Sequence, residues 1–205
     1  AATITIKSGE QTVLVYNKTS PPVPAGINAI YQRSGFVHPV FTPAGDCVTA
    51  AFPVDHAHQH GIFSAWVKTT YAGKEVDFWN LAGRTGRVAH ESVVRVIDAD
   101  DEVGFEVTLL HQTVDPAVDV LRENWLLTVK RTEADCFCFE ITSLQTALTD
   151  EPLVVEKYHY GGMALRGPVS WLNAKDSHVK QHAELKVSGN TMLNNLGQGA
   201  EEGNH

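Results

Sequence analysis

Apolar and polar residues alternate with a period of two through most of the chain. The runs are TITIK, TVLVY, CVTAAF, ESVVRVI, VGFEVTLL, DVLRENWLLTVKR, CFCFEIT and PLVVEKYHY. Successive side chains of a strand point to opposite faces, so each run describes a strand with one face against a core. Turn-forming clusters (KSGE, SPPVPAG, TPAGD, YAGKE, DADDE, LTDEP and VSGN) separate the runs at the spacing of antiparallel hairpins. No stretch keeps an apolar stripe at 3.6 residues over three capped turns; SLQTALTDE is at most a short helix. The pattern predicts an all-β fold, an antiparallel β-sandwich with under about a tenth of its residues helical.

The chain has 205 residues, 43% of them hydrophobic, enough for one domain with a real core, and residues 1–205 are read as a single β-sandwich domain. SPPVPAG reads as an irregular loop, not a linker. The last thirty residues are polar and rich in Gly and Asn and stop at Asn204-His205 without a closing strand. An edge left there would be unpaired, so the expectation is that the domain is C-terminally incomplete.

A formal charge of −8, with no block of Lys and Arg, argues against a nucleic-acid partner. No apolar run approaches the ~18–20 residues that span a bilayer, which argues against membrane insertion. AATITIKSGE lacks the basic and apolar regions of a signal peptide. A periplasmic or secreted location after signal removal stays open. Cys47, Cys136 and Cys138 are an odd set, and Cys136 and Cys138 would point in parallel from one strand face. They are expected to be buried structural thiols and not a disulfide or redox pair.

The densest chemistry is DHAHQH, residues 55–60. On a strand His56, His58 and His60 would form a row opposite Asp55, Ala57 and Gln59. Neighbouring rings ~6.5–7 Å apart could share a divalent metal, whereas the outer pair, ~13 Å apart, could not. A metal site would then use two of the three histidines and a remote ligand such as His38, Asp77, Glu156 or His159. The other readings are acid/base or binding work by imidazoles that titrate near neutrality, or a polar strand end that does no chemistry. No other cofactor is expected.

Around this segment lie candidate partners. Arg33, His38 and Arg166 could grip a substrate's hydroxyls or carboxylate, or the arginines could instead pair with Asp55 or Glu156 to order loops. Trp66 and Trp79 could stack on a sugar ring, with core packing the commoner fate of Trp79. Glu156 and His159 precede Gly161-Gly162, where backbone or ligand can approach closely. Sugar ring opening needs one group to take a hydroxyl proton and another to protonate the ring oxygen. Asp55 or Glu156 with His56 or His60 could do this.

YQRSGFVHPVFTPAGDCVTAAFPVDHAHQHGIFSAW, GKEVDFWN and KYHYGGMALRG together resemble a family of β-sandwich proteins of unknown function, DUF6807, often labelled PmoA-like. The chain departs from the family's block at Gln59, where a histidine is usual. The resemblance implies a sandwich similar to galactose mutarotases and a setting among bacterial sugar-degradation proteins. A small-molecule carbohydrate is therefore the expected partner. The expected function is acid/base catalysis on a sugar or keto-sugar derivative, of epimerase, lyase or hydrolase type. The alternatives are a non-catalytic carbohydrate-binding module or a metal-dependent oxygenase or hydrolase.

Overall fold

The computed structural model describes residues 1–172 apart from 101, 134 and 135. Two compact units divide the chain, residues 1–166 and 167–205. Of the second, the described part is a short loop with one 3-10 turn at Val169–Trp171. The expected open C-terminal edge and the VSGN turn lie outside the described residues.

The first unit is built from antiparallel strands. One sheet runs in the order β1 (Thr3–Ser8), β2 (Gln11–Asn17), β3 (Phe36–Val40), β4 (Ile62–Ala65) and β12 (Gly162–Leu165). The other long sheet runs β10 (Cys136–Ala147), β9 (Asp119–Glu133), β8 (Val103–Thr113) and β7 (Gly86–Asp98). A small third sheet joins β11 (Leu153–Val155), β5 (Thr69–Tyr71) and β6 (Lys74–Val76). The described helical segments of this unit are two 3-10 turns, at Ala29–Tyr31 and Leu81–Gly83.

The alternation in the sequence sets the inward faces. Phe105, Val107 and Leu109 of β8 and Trp125 and Leu127 of β9 pack in one cluster with Leu14, Tyr16, Phe36, Val37 and Phe63 of the first sheet. Tyr16 meets Phe105 across the two layers at 5.0 Å between ring centroids. Burying each such side chain contributes about 2 kcal/mol, which is what holds the layers together as a β-sandwich.

Two polar residues share these inward faces. On β9 Glu123 lies in the register Leu121, Glu123, Trp125, and on β8 His111 follows Leu109; both are fully buried. The Glu123 carboxylate accepts hydrogen bonds from His111 Nε2 (2.7 Å), Trp125 Nε1 (2.7 Å) and Ser143 Oγ (2.6 Å). Burial alone would raise its pKa, but the His111, Ser143 and Trp125 bonds hold it down at about 2. Buried Arg33 lies in the same field: burial pulls its guanidinium down to about 10, against the upward pull of Glu123 and Tyr16. Arg33 donates through Nη2 to the Ser64 carbonyl at 2.6 Å and sits 5.0 Å above the Phe63 ring.

SLQTALTDE, at most a short helix by its sequence, is not helical: Ser143–Ala147 continues β10 in full register with β9. Two sequence expectations need correction. CVTAAF is not a strand; it makes isolated bridges at Cys47 and Ala51 only. The three cysteines are exposed, not buried. Cys136 and Cys138 fall on the outward parity of edge strand β10, while Phe137 and Phe139 take the inward one.

Removing a buried carboxylate strands its donors without solvent. Glu123→Leu is therefore expected to destabilise the fold by roughly 3 kcal/mol or more. Urea unfolding checks this, and an unchanged midpoint would contradict the network's structural role.

Candidate functional site

Residues 53–60 do not form the strand that the alternating histidines suggest. The His56 N–H donates to the Pro53 carbonyl (3.1 Å) and the Gln59 N–H to the His56 carbonyl (2.9 Å), closing two successive turns. These local bonds take the backbone groups that a ladder would need. Only His60 rejoins extended structure, bridging Ala51. The three rings consequently divide: His56 and His58 meet edge to face with centroids 5.7 Å apart, while His60 turns into the core between Phe36 and Phe52.

Arg166 holds this turn in place. Its Nη2 donates to both Asp55 oxygens, at 2.7 and 2.8 Å, and its Nη1 to Gln59 Oε1 at 3.0 Å. The Asp55 and Arg166 side chains are 3% and 10% exposed, so water screens the pair little. Burial pushes the Asp55 carboxyl up, but Arg166 and His56 together hold it below the usual carboxylate value. Asp55 Oδ2 also accepts from His56 Nδ1 at 2.9 Å. In the neutral His56 ring the proton thus sits on Nδ1 and the basic lone pair on Nε2.

Backbone bonds deliver Arg166 to this place. Ala50 N–H donates to the Arg166 carbonyl (2.9 Å), Arg166 N–H to the Gly61 carbonyl (2.7 Å), and Gly61 N–H to the Ala50 carbonyl (2.7 Å). Gly61 takes φ +54°, and a Cβ there would stand 2.0 Å from the Val37 carbonyl oxygen, so only glycine fits.

Beside the turn is an open cavity of about 520 Å³, lined by His56, His58 and Gln59 on one side and by Phe63, Asp77, Trp79 and Asn80 on another. Tyr158, Tyr160 and Leu165 complete its wall. Trp79 meets Tyr160 at 5.2 Å and Tyr160 meets Tyr158 at 5.0 Å, all edge to face. Burial and the neighbouring His56 charge lower the His58 pKa, so this ring is neutral at pH 7.

Asp55, His56 and His58 are therefore brought together, with Arg166 behind them. Asp77 and Trp79 line the same cavity, and the remaining candidates lie elsewhere. Arg33 is buried in the core, as above. His38 shares a hydrogen bond with Thr49 Oγ1 (2.9 Å), and burial lowers its pKa. Glu156 accepts from Thr70 Oγ1 (2.8 Å) and pairs with Lys68 (3.1 Å), a loop-ordering contact outside the cavity wall. Trp66 donates to Gln145 (3.0 Å) in a separate cleft with Ser143 and Met163. His159 stacks against Tyr158 and Tyr160 at 4.2 and 4.6 Å without lining the cavity. Among the described residues no three His, Cys, Asp or Glu side chains converge as a metal site.

The sequence reading missed Tyr158, Tyr160 and Asn80 as cavity residues. Tyr158 and Tyr160 share one parity of KYHY, a signal that was visible. Asn80 carried none beyond its place in DFWN.

His60 donates through Nδ1 to the His58 carbonyl at 2.9 Å, and its Nε2 is buried without a hydrogen-bond partner. Burial first and the Arg33 charge second lower its pKa to about 3. An unfolded histidine titrates near 6.5. Between these values the unfolded chain binds the extra proton, so stability falls as pH drops from about 6.5 toward 3. His60→Gln keeps a donor and removes this titration. Its unfolding free energy, measured by urea at a series of pH values, should fall less steeply by up to ~1.4 kcal/mol per pH unit across this window. An unchanged slope would show that His60 is not held neutral.

Breaking the clamp from the other side, Arg166→Met leaves Asp55 buried without its main partner. A loss of roughly 3 kcal/mol is expected in the same assay. A loss under about 0.5 kcal/mol would mean that Asp55 is solvated.

No curated protein and no solved structure matches the chain significantly. A family model, a family of unknown function (DUF6807), matches residues 3–199. That span takes in the sandwich strands, the histidine turn and the cavity wall, and the chain belongs to the DUF6807 family.

Proposed function

We propose that the cavity binds a carbohydrate and that its imidazole pair moves protons on it, making the protein an acid/base enzyme acting on a sugar or keto-sugar derivative. The observation that carries this reading is the pairing of two histidines, one locked by a buried carboxylate, with a wall of Trp79, Tyr158 and Tyr160. Aromatic faces suit the apolar C–H faces of a sugar ring, and imidazoles and amide groups suit its hydroxyls. A volume of about 520 Å³ admits a small polyol. The family resemblance, with its implied galactose-mutarotase-like sandwich, points the same way, though a fold by itself says little about activity.

In this mechanism His58, neutral at pH 7, takes the proton from a substrate hydroxyl or from a carbon beside a ketone. His56 gives a proton to the departing or ring oxygen. Its imidazolium form has the Asp55 carboxylate at 2.9 Å to balance the charge. Asp55 and Arg166 position the ring and do not touch substrate. His60, in the core, takes no proton from substrate.

A second reading, a carbohydrate-binding module without turnover, is favoured by the exposure of Tyr158 and Tyr160, whose rings are open to a ligand. Saturation-transfer NMR against sugars and 3-keto-sugars, followed by turnover assays on whatever binds, separates the two. His56→Ala and His58→Ala should each lower turnover by ~10²–10⁴-fold while unfolding stays cooperative. Full activity in both variants would rule out the imidazole pair as the proton-transfer groups. Binding with no turnover on any sugar would favour the module.

A further inference from the structure

Charge is distributed unevenly around the cavity. Asp77 lines it, but none of its described lining residues is a lysine or arginine. The nearby guanidinium, Arg166, is occupied by Asp55 and Gln59. The other arginine considered as a substrate anchor, Arg33, is buried in the core. Asp77 Oδ1 accepts from the backbone N–H groups of Trp79 (2.8 Å) and Asn80 (2.9 Å), which fixes the carboxylate at the cavity edge, and Oδ2 takes no part in these bonds.

The aromatic rings stand around the same corner. Trp79 and Tyr160 are inclined by 62°, and Tyr160 and Tyr158 by 67°, so the three do not stack into one flat wall but turn their faces in different directions. Trp79 is 6% exposed and forms the back, while Tyr158 and Tyr160 stand at the mouth. Angled aromatic faces beside a carboxylate attract cations, because a ring face is negative and holds an ammonium within about 6 Å of its centroid. Tyr160 feels the Asp77 charge, which after burial and Tyr158 contributes to raising its pKa.

Resting on the carbohydrate reading above, the geometry points to an amine-bearing sugar as the ligand class, its ammonium held by Asp77 and the faces of Trp79, Tyr158 and Tyr160. A sugar carboxylate or phosphate would meet the Asp77 charge with no lysine or arginine in the wall to offset it, and the charge of a His56 imidazolium is turned to Asp55 at 2.9 Å. That arrangement rejects uronates and sugar phosphates by repulsion.

The test is binding of four probes to the full chain by titration calorimetry at neutral pH: glucosamine, glucose, glucuronate and choline. Glucosamine should bind about tenfold or more tighter than glucose, and glucuronate more weakly than either. Asp77→Asn keeps an amide oxygen to accept from Trp79 and Asn80, so the turn survives while the charge goes. It should cut glucosamine affinity about tenfold and so narrow or abolish the preference for glucosamine over glucose. Tyr160→Leu should also weaken glucosamine more than glucose. Equal binding of glucose and glucosamine, or a preference for glucuronate, would overturn this inference and leave the carbohydrate reading standing. Choline binding with no sugar bound would support the ammonium corner and overturn the carbohydrate reading. Failure of all four at millimolar concentration would overturn both.

Discussion

The contact between Arg166 and Asp55 is the constraint on which the histidine turn depends. It joins residues 111 positions apart, and one guanidinium nitrogen reaches both carboxylate oxygens. Asp55 then has one orientation, and through it so does His56. Because the pair is nearly buried, its attraction is weakly screened, and because Gln59 takes the second nitrogen, the turn is held at two points. The backbone bonds among Ala50, Gly61 and Arg166 place the guanidinium within reach of Asp55. The side of the cavity made by the histidine turn, which has no strand ladder of its own, gets its rigidity from this clamp.

The sandwich beneath it carries a comparable device. Glu123 and His111 occupy positions that the alternation assigns to core residues, and Arg33 adds a charge to the same interior. An apolar residue at Glu123 with apolar partners would pack at least as well, so this network does not win its place by stability alone. Its bonds tie β8, β9 and β10 to one another side chain by side chain, on top of the ladder pairing.

The strands were legible because period-two alternation survives translation into buried and exposed faces: Phe105, Val107, Leu109 on β8 and Leu121, Trp125, Leu127 on β9 fall where the sequence puts them. The same logic misled at 55–60, where a period of two is equally compatible with two turns, and Pro53 before the segment was the overlooked sign. Parity also held a message that was passed over, since a Glu between Leu121 and Trp125 on one face announces a buried carboxylate. Asp55, His56 and His58 were identifiable from local density of chemistry. That Arg166 orders the turn was one of two readings open for it, and that Glu156, His38 and Trp66 stand apart from the cavity depends on long-range topology that no local pattern encodes.

The most direct measurement of the clamp is the tautomer of His56, read from its ring nitrogens by long-range 15N–1H correlation NMR at a pH where the ring is neutral. The protein should show a protonated Nδ1 and an unprotonated Nε2, and Arg166→Met should blur that preference by releasing Asp55. A His56 ring protonated on Nε2, or one unaffected by loss of Arg166, would contradict the claim that the buried carboxylate sets the geometry of the site.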